Sequence, residues 1–321
     1  MDVDMWLVYR AFVIERHKIW ERRQAGEPGP WTLDPILASR KFTNVFRVLD
    51  PGTQFVLTDL AGGDPRDELF RLFLYRHTGR VEAWQYLPLF LGDYPGADDS
   101  DAIVRAWEEY RGPGVWKPSN RKVFTGGKRR AGGHGSIAYA RSVFTGAYLV
   151  FPQSQERGTD KMKSIISLAE RVFERDNRVI ERWLEAKVPQ ERFRILQHEK
   201  GVGDFMAMQI LTDWNYLHAG DEDTFVVPGP GAKKGAAALA PGDDPTRVVF
   251  EARENLLQDV ECPTLEGCPP SLMDVQNTLC EFSKYVRYLG RDPGRAYEPA
   301  HPGNQEPPVL PQHWATKGIS K

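Results

Sequence analysis

The sequence has few cysteines, few histidines and no long apolar run. Three of its 321 residues are cysteine and seven are histidine. Cys262 and Cys268 lie close together without a second pair of metal-ligating residues nearby, which argues against a zinc site, and so few cysteines are not typical of a disulfide framework. No stretch approaches the roughly 20 apolar residues of a membrane span, and Arg10 interrupts the apolar run near the start. We expect free thiols, no bound metal, no membrane partner and a soluble intracellular protein.

The sequence also lacks an excess of charge of one sign. Its 42 basic and 44 acidic residues leave a formal net charge of −2, so composition alone does not indicate a nucleic-acid partner, although a local basic surface remains compatible with one. No Ser-His-Asp order, zinc-protease motif, kinase motif or paired-cysteine motif occurs. An acyl hydrolase and a metal enzyme therefore have no support, and no cofactor is expected.

Hydrophobic periodicity predicts a mainly α protein. A chain of this length can bury a large core, and we expect one helical domain over 1–290, arranged as two lobes around a cleft, followed by a Pro-rich coil tail over 291–321. Residues 112–135 and 219–245 are expected to be irregular, and 147–151 is the one candidate strand. The predicted helices cover 4–23, a segment that opens at Asp64-Pro65, 81–91, 98–110, 160–186, a short helix from Pro189, 246–260 and 271–289.

The segment from Leu196 to Ile210 is typical of a helix-hairpin-helix DNA-binding element. Gly201 and Gly203 flank Val202, and glycine permits the sharp turn and close backbone approach that such a hairpin needs. The amide groups at the start of the second helix suit a phosphate oxygen, and Lys200 adds a positive charge. The alternative is an ordinary helix connection with glycine after the first helix. We prefer the DNA-binding interpretation, in which the hairpin element covers residues 196–216.

An aspartate follows the hairpin at a suggestive distance. Asp223 lies twenty positions after Gly203, which is about where DNA glycosylases with this hairpin carry their catalytic aspartate. The competing interpretation is a solvated acidic turn or a helix cap within the triplet 221–223. The two interpretations stand at about equal weight.

Two glycine-rich basic segments are candidates for anion binding. Lys233 and Lys234 lie among glycines 229, 231 and 235, whose amides suit a phosphate, although the spacing is not that of a Walker loop. Residues 112–135 contain a second set, in which clustered cations alternate with glycine; its members include Arg121, Lys122 and Arg129. A flexible loop is the alternative for the first segment and a solvated charge run for the second.

Polar residues beside aromatic residues mark a fourth segment, over 30–50. Asn44 and Arg47 stand among aromatic side chains, which is a composition that suits an extruded base with a polar edge. A structural ion pair between Arg47 and Asp50 explains the same pattern at least as well.

Taken together, these motifs resemble one family. Pro30-Trp-Thr-Leu-Asp-Pro, Phe42-Thr-Asn-Val-Phe-Arg, Phe144-Thr-Gly-Ala-Tyr148, the Gly201 hairpin, the Gly229–Gly235 segment and Asp274-Val-Gln-Asn-Thr-Leu-Cys280 form a set similar to the bacteriophage α-glutamyl/putrescinyl-thymine pyrophosphorylases, or amino acid:DNA transferases. The same fold is associated with 5-hydroxymethyluracil DNA kinases. The resemblance spans about residues 5 to 300.

The resemblance implies a helix-hairpin-helix, glycosylase-like fold and an enzyme that joins an amine to modified thymine in double-stranded DNA, in the cytoplasm of an infected bacterial host. An amino acid or a polyamine displaces pyrophosphate from the C5 methylene, and a hydroxymethyluracil DNA kinase is a candidate partner. Residues 201–203 with Lys200 would grip the backbone and Asp223 would act as a base or amine anchor. The remaining roles fall to Lys233, Lys234, Arg121, Lys122 and Arg129 for pyrophosphate, and to Asn44, Arg47 and Tyr148 for the base.

One departure from glycosylases is visible in the hairpin, where Lys200 stands in the position usually taken by proline. A transferase must also leave the glycosidic bond intact, so Asp223 cannot inherit the glycosylase role unchanged. The alternatives are a glycosylase that excises a modified thymine, and a non-catalytic DNA-binding module that acts with the kinase.

Overall fold

The computed structural model describes residues 4–117, 122–125, 128–131, 136–145, 160–291 and 307–317. These residues are mainly helical, as the periodicity predicts. Contacts divide the chain into two compact units: Met1–Ala61 with Arg182–Lys321, and Gly62–Glu181. We call the first the discontinuous unit and the second the inserted unit.

The discontinuous unit carries most of the helices, and its hairpin lies between α9 and α10. Its elements, in chain order, are α1 Met5–Gln24, α2 Pro35–Ser39, a 3-10 turn Arg47–Leu49, α3 Pro51–Phe55, a π-helical turn Val56–Leu60, α9 Pro189–Gln197, α10 Asp204–Leu217, α11 Pro230–Leu239, α12 Pro245–Leu257, α13 Leu272–Val286 and α14 Trp314–Lys317.

The inserted unit has helices and two small antiparallel hairpins. Its elements are α4 Pro65–Thr78, α5 Val81–Leu91, α6 Ser100–Arg111, β1 Val115–Lys117, β2 Lys122–Thr125, β3 Lys128–Ala131, β4 Ser136–Ala138, α7 Lys161–Phe173 and a 3-10 turn Arg175–Asn177, and α8 Val179–Glu185 follows at its boundary. Strand β1 pairs with β4, and β2 pairs with β3. Short strands therefore occupy part of the segment that was expected to be irregular.

Asp-Pro pairs begin several of the helices. In α2, α4 and α12 an aspartate caps the helix and proline occupies its first turn. The aspartate side chain accepts a hydrogen bond from a first-turn amide, and proline loses nothing because the first-turn amides have no partner within the helix. The sequence predicts the start of α4 at Asp64-Pro65, and it predicts the start of α12 to within one residue.

Aromatic rings dominate the core of the discontinuous unit. Phe12 of α1 packs against Tyr285 of α13 with ring centroids 5.1 Å apart, and Tyr9 meets Phe282 edge to face at 5.2 Å. The hydroxyl groups of Tyr9 and Thr278 lie 2.6 Å apart within this buried contact. Rings that interlock at these distances favour one arrangement of α1 on α13.

Helices α11 and α13 approach each other closely because α11 presents glycine to α13. A Cβ added at Gly235 would overlap the carbonyl oxygen of Leu279, and one at Gly231 would overlap the thiol of Cys280. The segment around Lys233 is thus a helix and not a loop, which corrects the sequence-based expectation. From the sequence we expect glycine here to belong to an irregular, phosphate-binding segment, whereas in the structure it permits close helix packing.

The structure interrupts the long helix predicted over 160–186. Helix α7 ends at Phe173, and Arg178 has a left-handed φ of 49° before α8 begins. The side-chain amide of Asn177 donates a hydrogen bond to the carboxylate of Glu174 at 3.0 Å. Polar side chains that bond locally in this way compete with helix hydrogen bonds, and a pattern of apolar residues does not register that competition.

Part of the tail is not free coil. In the segment 307–317, Val309 exchanges backbone hydrogen bonds with the side chain of Gln54, at 2.8 and 2.9 Å. Trp314 is 2% exposed and belongs to the core of the discontinuous unit. The tail has little apolar content, so its sequence does not indicate that Trp314 anchors it to the core.

We predict that Gly235→Ala destabilises the protein by about 1–3 kcal/mol, because the added methyl group meets backbone that cannot give way. Helix propensity alone predicts the opposite sign, a gain of about 1 kcal/mol. Gly203→Ala is the matched control, since a Cβ there meets nothing within 4 Å. Urea unfolding of both variants measures the difference, and an unchanged or higher midpoint for Gly235→Ala would contradict close packing of α11 on α13.

Candidate functional site

The hairpin has the two helices and the tight turn that its sequence predicts. Helix α9 ends at Gln197, and α10 begins at Asp204 with Gly203 as its cap. Gly201 has a φ of 106°, a backbone conformation that side chains with a Cβ rarely adopt. Val202 is buried and its amide donates to the carbonyl of Glu199 at 2.9 Å. The turn is therefore a defined structure anchored by a buried valine.

The start of α10 presents groups suited to an anion. The side chain of Lys200 and residue Gly203 are exposed, and Gly203 has no side chain to cap the first-turn amides of the helix. Those amides and the helix dipole attract negative charge. Asp204, exposed in the first turn, works against an anion at the same place.

Asp223 is held by an arginine that the sequence analysis did not identify. One of its carboxylate oxygens lies 3.1 Å from a guanidinium nitrogen of Arg253 in α12. The Nε of Arg253 donates to the carbonyl of Pro270 at 3.0 Å, and the Asp223 amide donates to Asp221 at 2.8 Å. Asp223 is 38% exposed. The side chain of Asp223 is therefore held in place and remains partly open to solvent. Its carboxylate pairs with the guanidinium of Arg253.

Its neighbour Glu222 has the opposite character, since it is buried. One carboxylate oxygen of Glu222 accepts the indole N–H of Trp314 at 2.9 Å and lies 2.7 Å from the Nε2 of His313. The side chain is only 3% exposed. His313 and Trp314 of the tail thus both contact the carboxylate of Glu222, the residue directly before Asp223.

A second buried carboxylate, Asp274, joins α13 to the segment 44–49. It accepts from the backbone amide of Arg47 at 2.6 Å and from the backbone and hydroxyl of Ser271, which it meets in a capping box. Burial raises the pKa of the Asp274 carboxyl to about 7, although the hydrogen bonds from Arg47 and Ser271 oppose the rise. Asp274 therefore titrates near neutral pH.

Asn44 and Arg47 have clear structural duties. The side-chain oxygen of Asn44 accepts from Arg16 at 2.8 Å, and its amide group donates to the carbonyl of Leu49 at 3.0 Å. Arg47 is buried, and its guanidinium lies 3.8 Å from the carboxylate of Asp50. The ion pair that the sequence analysis left as an alternative is present. These contacts favour a structural role over direct reading of a base.

Tyr216 lies where these groups converge. Burial raises the pKa of its phenol well above the usual value, and the charges of Asp274, Glu222 and Asp213 raise it further, whereas Arg47 lowers it. We call Arg47, Asp213, Tyr216, Glu222 and Asp274 the buried polar cluster. Among the residues that the structure describes, the Tyr216 hydroxyl has no hydrogen-bond partner.

The other residues predicted from the sequence lie on separate elements. Lys233 and Lys234 are exposed on the first half of α11. Lys122 and Arg129 stand in β2 and β3, where Lys122 pairs with Ala131 and Arg129 with Phe124. Arg121 and Tyr148 lie outside the described residues.

A groove lies elsewhere in the discontinuous unit. It has a volume of about 840 Å³, and aromatic side chains of Phe12, Trp31 and Tyr285 line part of it. It contains none of the candidate residues. Across the described ranges, no group of three His, Cys, Asp or Glu side chains is placed to hold a metal ion, and no helix has the length and hydropathy to span a bilayer.

We predict that Asp274 makes stability depend on pH. A carboxyl whose pKa is near 7 when folded and about 4 when unfolded stabilises the protein at low pH, and this contribution is lost as pH rises through 7. The loss amounts to at most about 1.4 kcal/mol per pH unit between pH 4 and 7. Asp274→Asn should flatten the dependence, whereas Asp176→Asn, at an exposed site, should not. Parallel curves from urea unfolding of wild type and Asp274→Asn across this range would refute the assignment.

Comparison with known proteins places this site in a family. The family model described as "5-hmdU DNA kinase, helical domain" matches residues 4–112 and 135–293. The matched ranges include the hairpin, Asp223, Glu222 and the rest of the buried polar cluster. They leave out 113–134, with Lys122 and Arg129, and the tail that contains Trp314.

A single relative illustrates the relation. The 5-hmdU DNA kinase of Bacillus phage SP10 is 24% identical over 333 residues, which cover 90% of this chain and 46% of the kinase. The chain thus spans about half the length of that relative. No solved structure matches the chain. Because the family model covers well over half of the chain, the protein belongs to the family of the 5-hmdU DNA kinase helical domain.

Proposed function

We propose that the protein is a DNA-modifying transferase with a glycosylase-like arrangement, which joins an amine to modified thymine in phage DNA. The observation that carries the proposal is the family match, because it links the chain to a helical domain found with kinases of 5-hydroxymethyl-deoxyuridine. The hairpin, with Lys200 and the start of α10, also supports binding to DNA. Its contacts would be to phosphate and would position the enzyme without reading sequence.

The proposed reaction starts from 5-(pyrophosphoryloxymethyl)deoxyuridine within DNA. The nitrogen of a neutral amine bonds to the C5 methylene carbon, and the bond between that carbon and the pyrophosphate oxygen breaks. Pyrophosphate leaves with the electron pair, and the nitrogen gives up one proton. The chain must therefore supply a proton acceptor and cations for the leaving group.

The candidate residues fit these needs to different degrees. Asp223 is a partly exposed carboxylate that directly follows the buried Glu222 in sequence, which suits an amine anchor. Lys233 and Lys234 are exposed cations that suit pyrophosphate. Arg121, Lys122 and Arg129 stay sequence-based candidates for the same role. A base pocket formed by Asn44, Arg47 and Tyr148 is less favoured, because Asn44 is engaged within the protein.

A second function is a non-catalytic DNA-binding module that acts with a kinase. The observation that favours it is the family match itself, because the matching model describes the helical domain of a kinase. This alternative needs the hairpin but not Asp223.

Nucleoside mass spectrometry separates these functions. The protein is incubated with duplex DNA that bears pyrophosphorylated hydroxymethyluracil, together with glycine, glutamate or putrescine. We expect an amine adduct of the thymine base and release of pyrophosphate. Free base with abasic sites would instead indicate a glycosylase. Unchanged DNA with retained binding would indicate the binding module and overturn the transferase.

We also predict that Lys200→Ala weakens DNA binding without regard to sequence. Loss of one phosphate contact lowers the slope of log affinity against log salt concentration by about 1. Lys187→Ala is the matched control, since Lys187 is exposed at the opposite end of α9 from the turn. Fluorescence anisotropy over a salt series measures both variants. Equal slopes for Lys200→Ala and wild type would remove the hairpin turn from the DNA interface.

A further inference from the structure

Trp314 fills a slot beside the buried polar cluster. Its indole lies edge-on to the ring of Tyr216, with centroids 6.1 Å apart, and to the ring of Phe46 at 6.4 Å. Its N–H donates to the carboxylate of Glu222 at 2.9 Å. The slot thus holds a planar heterocycle in edge-to-face contact with two aromatic rings, and a carboxylate accepts its N–H.

The indole packs against the ring of Tyr216 without giving the hydroxyl of that tyrosine a hydrogen bond. Tyr216 is 1% exposed, and among the described residues its hydroxyl has no hydrogen-bond partner. A buried hydroxyl without a partner is costly, since it loses its bonds to water and gains none. An indole cannot help, because it carries an N–H donor and no acceptor.

A uracil-type base supplies what the indole lacks. Its N3–H lies beside a carbonyl oxygen, so one edge offers a donor and an acceptor side by side. The donor suits the Glu222 carboxylate and the acceptor suits the Tyr216 hydroxyl. We propose that this slot is the pocket for an extruded uracil-type base, and that Trp314 occupies it until the base displaces the indole.

The family match includes the residues that form the slot but not the tryptophan that fills it. Phe46, Tyr216 and Glu222 lie within the matched ranges, whereas Trp314 lies beyond residue 293, where the match ends. The slot is therefore a feature of the part that this chain shares with its family. The residue that fills the slot belongs to the part that the match does not include.

The proposal rests on the proposed function for its ligand, and it replaces Asn44 and Arg47 with Glu222 and Tyr216 as the groups that read the base. It also gives the segment 307–317 a role as an internal competitor. That segment is held to the discontinuous unit by Gln54, Glu222 and the contact of the Cys268 thiol with the Trp314 carbonyl at 3.6 Å.

Binding of base analogues to the full chain tests the slot. The probes are short single-stranded oligonucleotides with one 5-hydroxymethyluracil or, in its place, one N3-methylthymine, which lacks the N–H. Trp314→Phe keeps an aromatic ring but removes the hydrogen bond to Glu222, so the first probe should bind about tenfold more tightly than it binds wild type. The N3-methyl probe should gain nothing. Trp6→Phe, in the first turn of α1, is the matched control and should leave both affinities unchanged.

Fluorine NMR follows the indole itself, in protein labelled with 5-fluorotryptophan. The Trp314 resonance is assigned by its absence in Trp314→Phe, and it should move on saturation with the hydroxymethyluracil probe. A Trp314 resonance that stays in place while the probe is bound, or equal gains for the two probes, would overturn the slot.

These measurements do not depend on turnover. If the amine adduct forms but the probes do not discriminate, the slot is wrong and the transferase stands. If the probes discriminate and no adduct forms, the slot stands and the transferase fails.

Discussion

The burial of two carboxylates, Glu222 and Asp274, is the constraint on which the discontinuous unit depends. A buried carboxylate is tolerated only where donors reach it, and here the donors come from segments far apart in sequence. Asp274 binds the backbone of Arg47, and Glu222 binds the indole of Trp314. The start of α13, the 3-10 turn at 47–49 and the tail are thereby fixed around one polar centre.

Helix α10 connects that centre to the hairpin. Its first residue follows Gly203, and Tyr216 lies near its last turn, so the hairpin turn and the buried polar cluster are separated by about 20 Å along one helix. A strand gripped at the turn would present a base a few nucleotides away to the loop that carries Glu222 and Asp223. In the proposed function, the helix would set the distance between the bound phosphate and the reacting base.

Much of the fold was predictable from sequence, because apolar periodicity and Asp-Pro starts are local signals. The hairpin was predictable too, since only glycine suits the φ of Gly201. The buried polar cluster was not, because its members meet only through tertiary contacts. Glu222 looks like one more residue of an acidic turn, and Trp314 stands in a Pro-rich tail. Glycine in α11 was misread because close packing and flexibility favour the same residue.

We propose that the hairpin brings a modified base to the loop 221–223, where the buried Glu222 and the partly exposed Asp223 have separate roles. Single-turnover amine transfer at saturating DNA tests it most directly, with Glu222→Gln and Asp223→Asn compared to wild type. Loss of the carboxylate that holds the base should slow transfer at least tenfold in Glu222→Gln, and raising the amine concentration should restore Asp223→Asn but not Glu222→Gln. Wild-type rates in both variants would contradict the account.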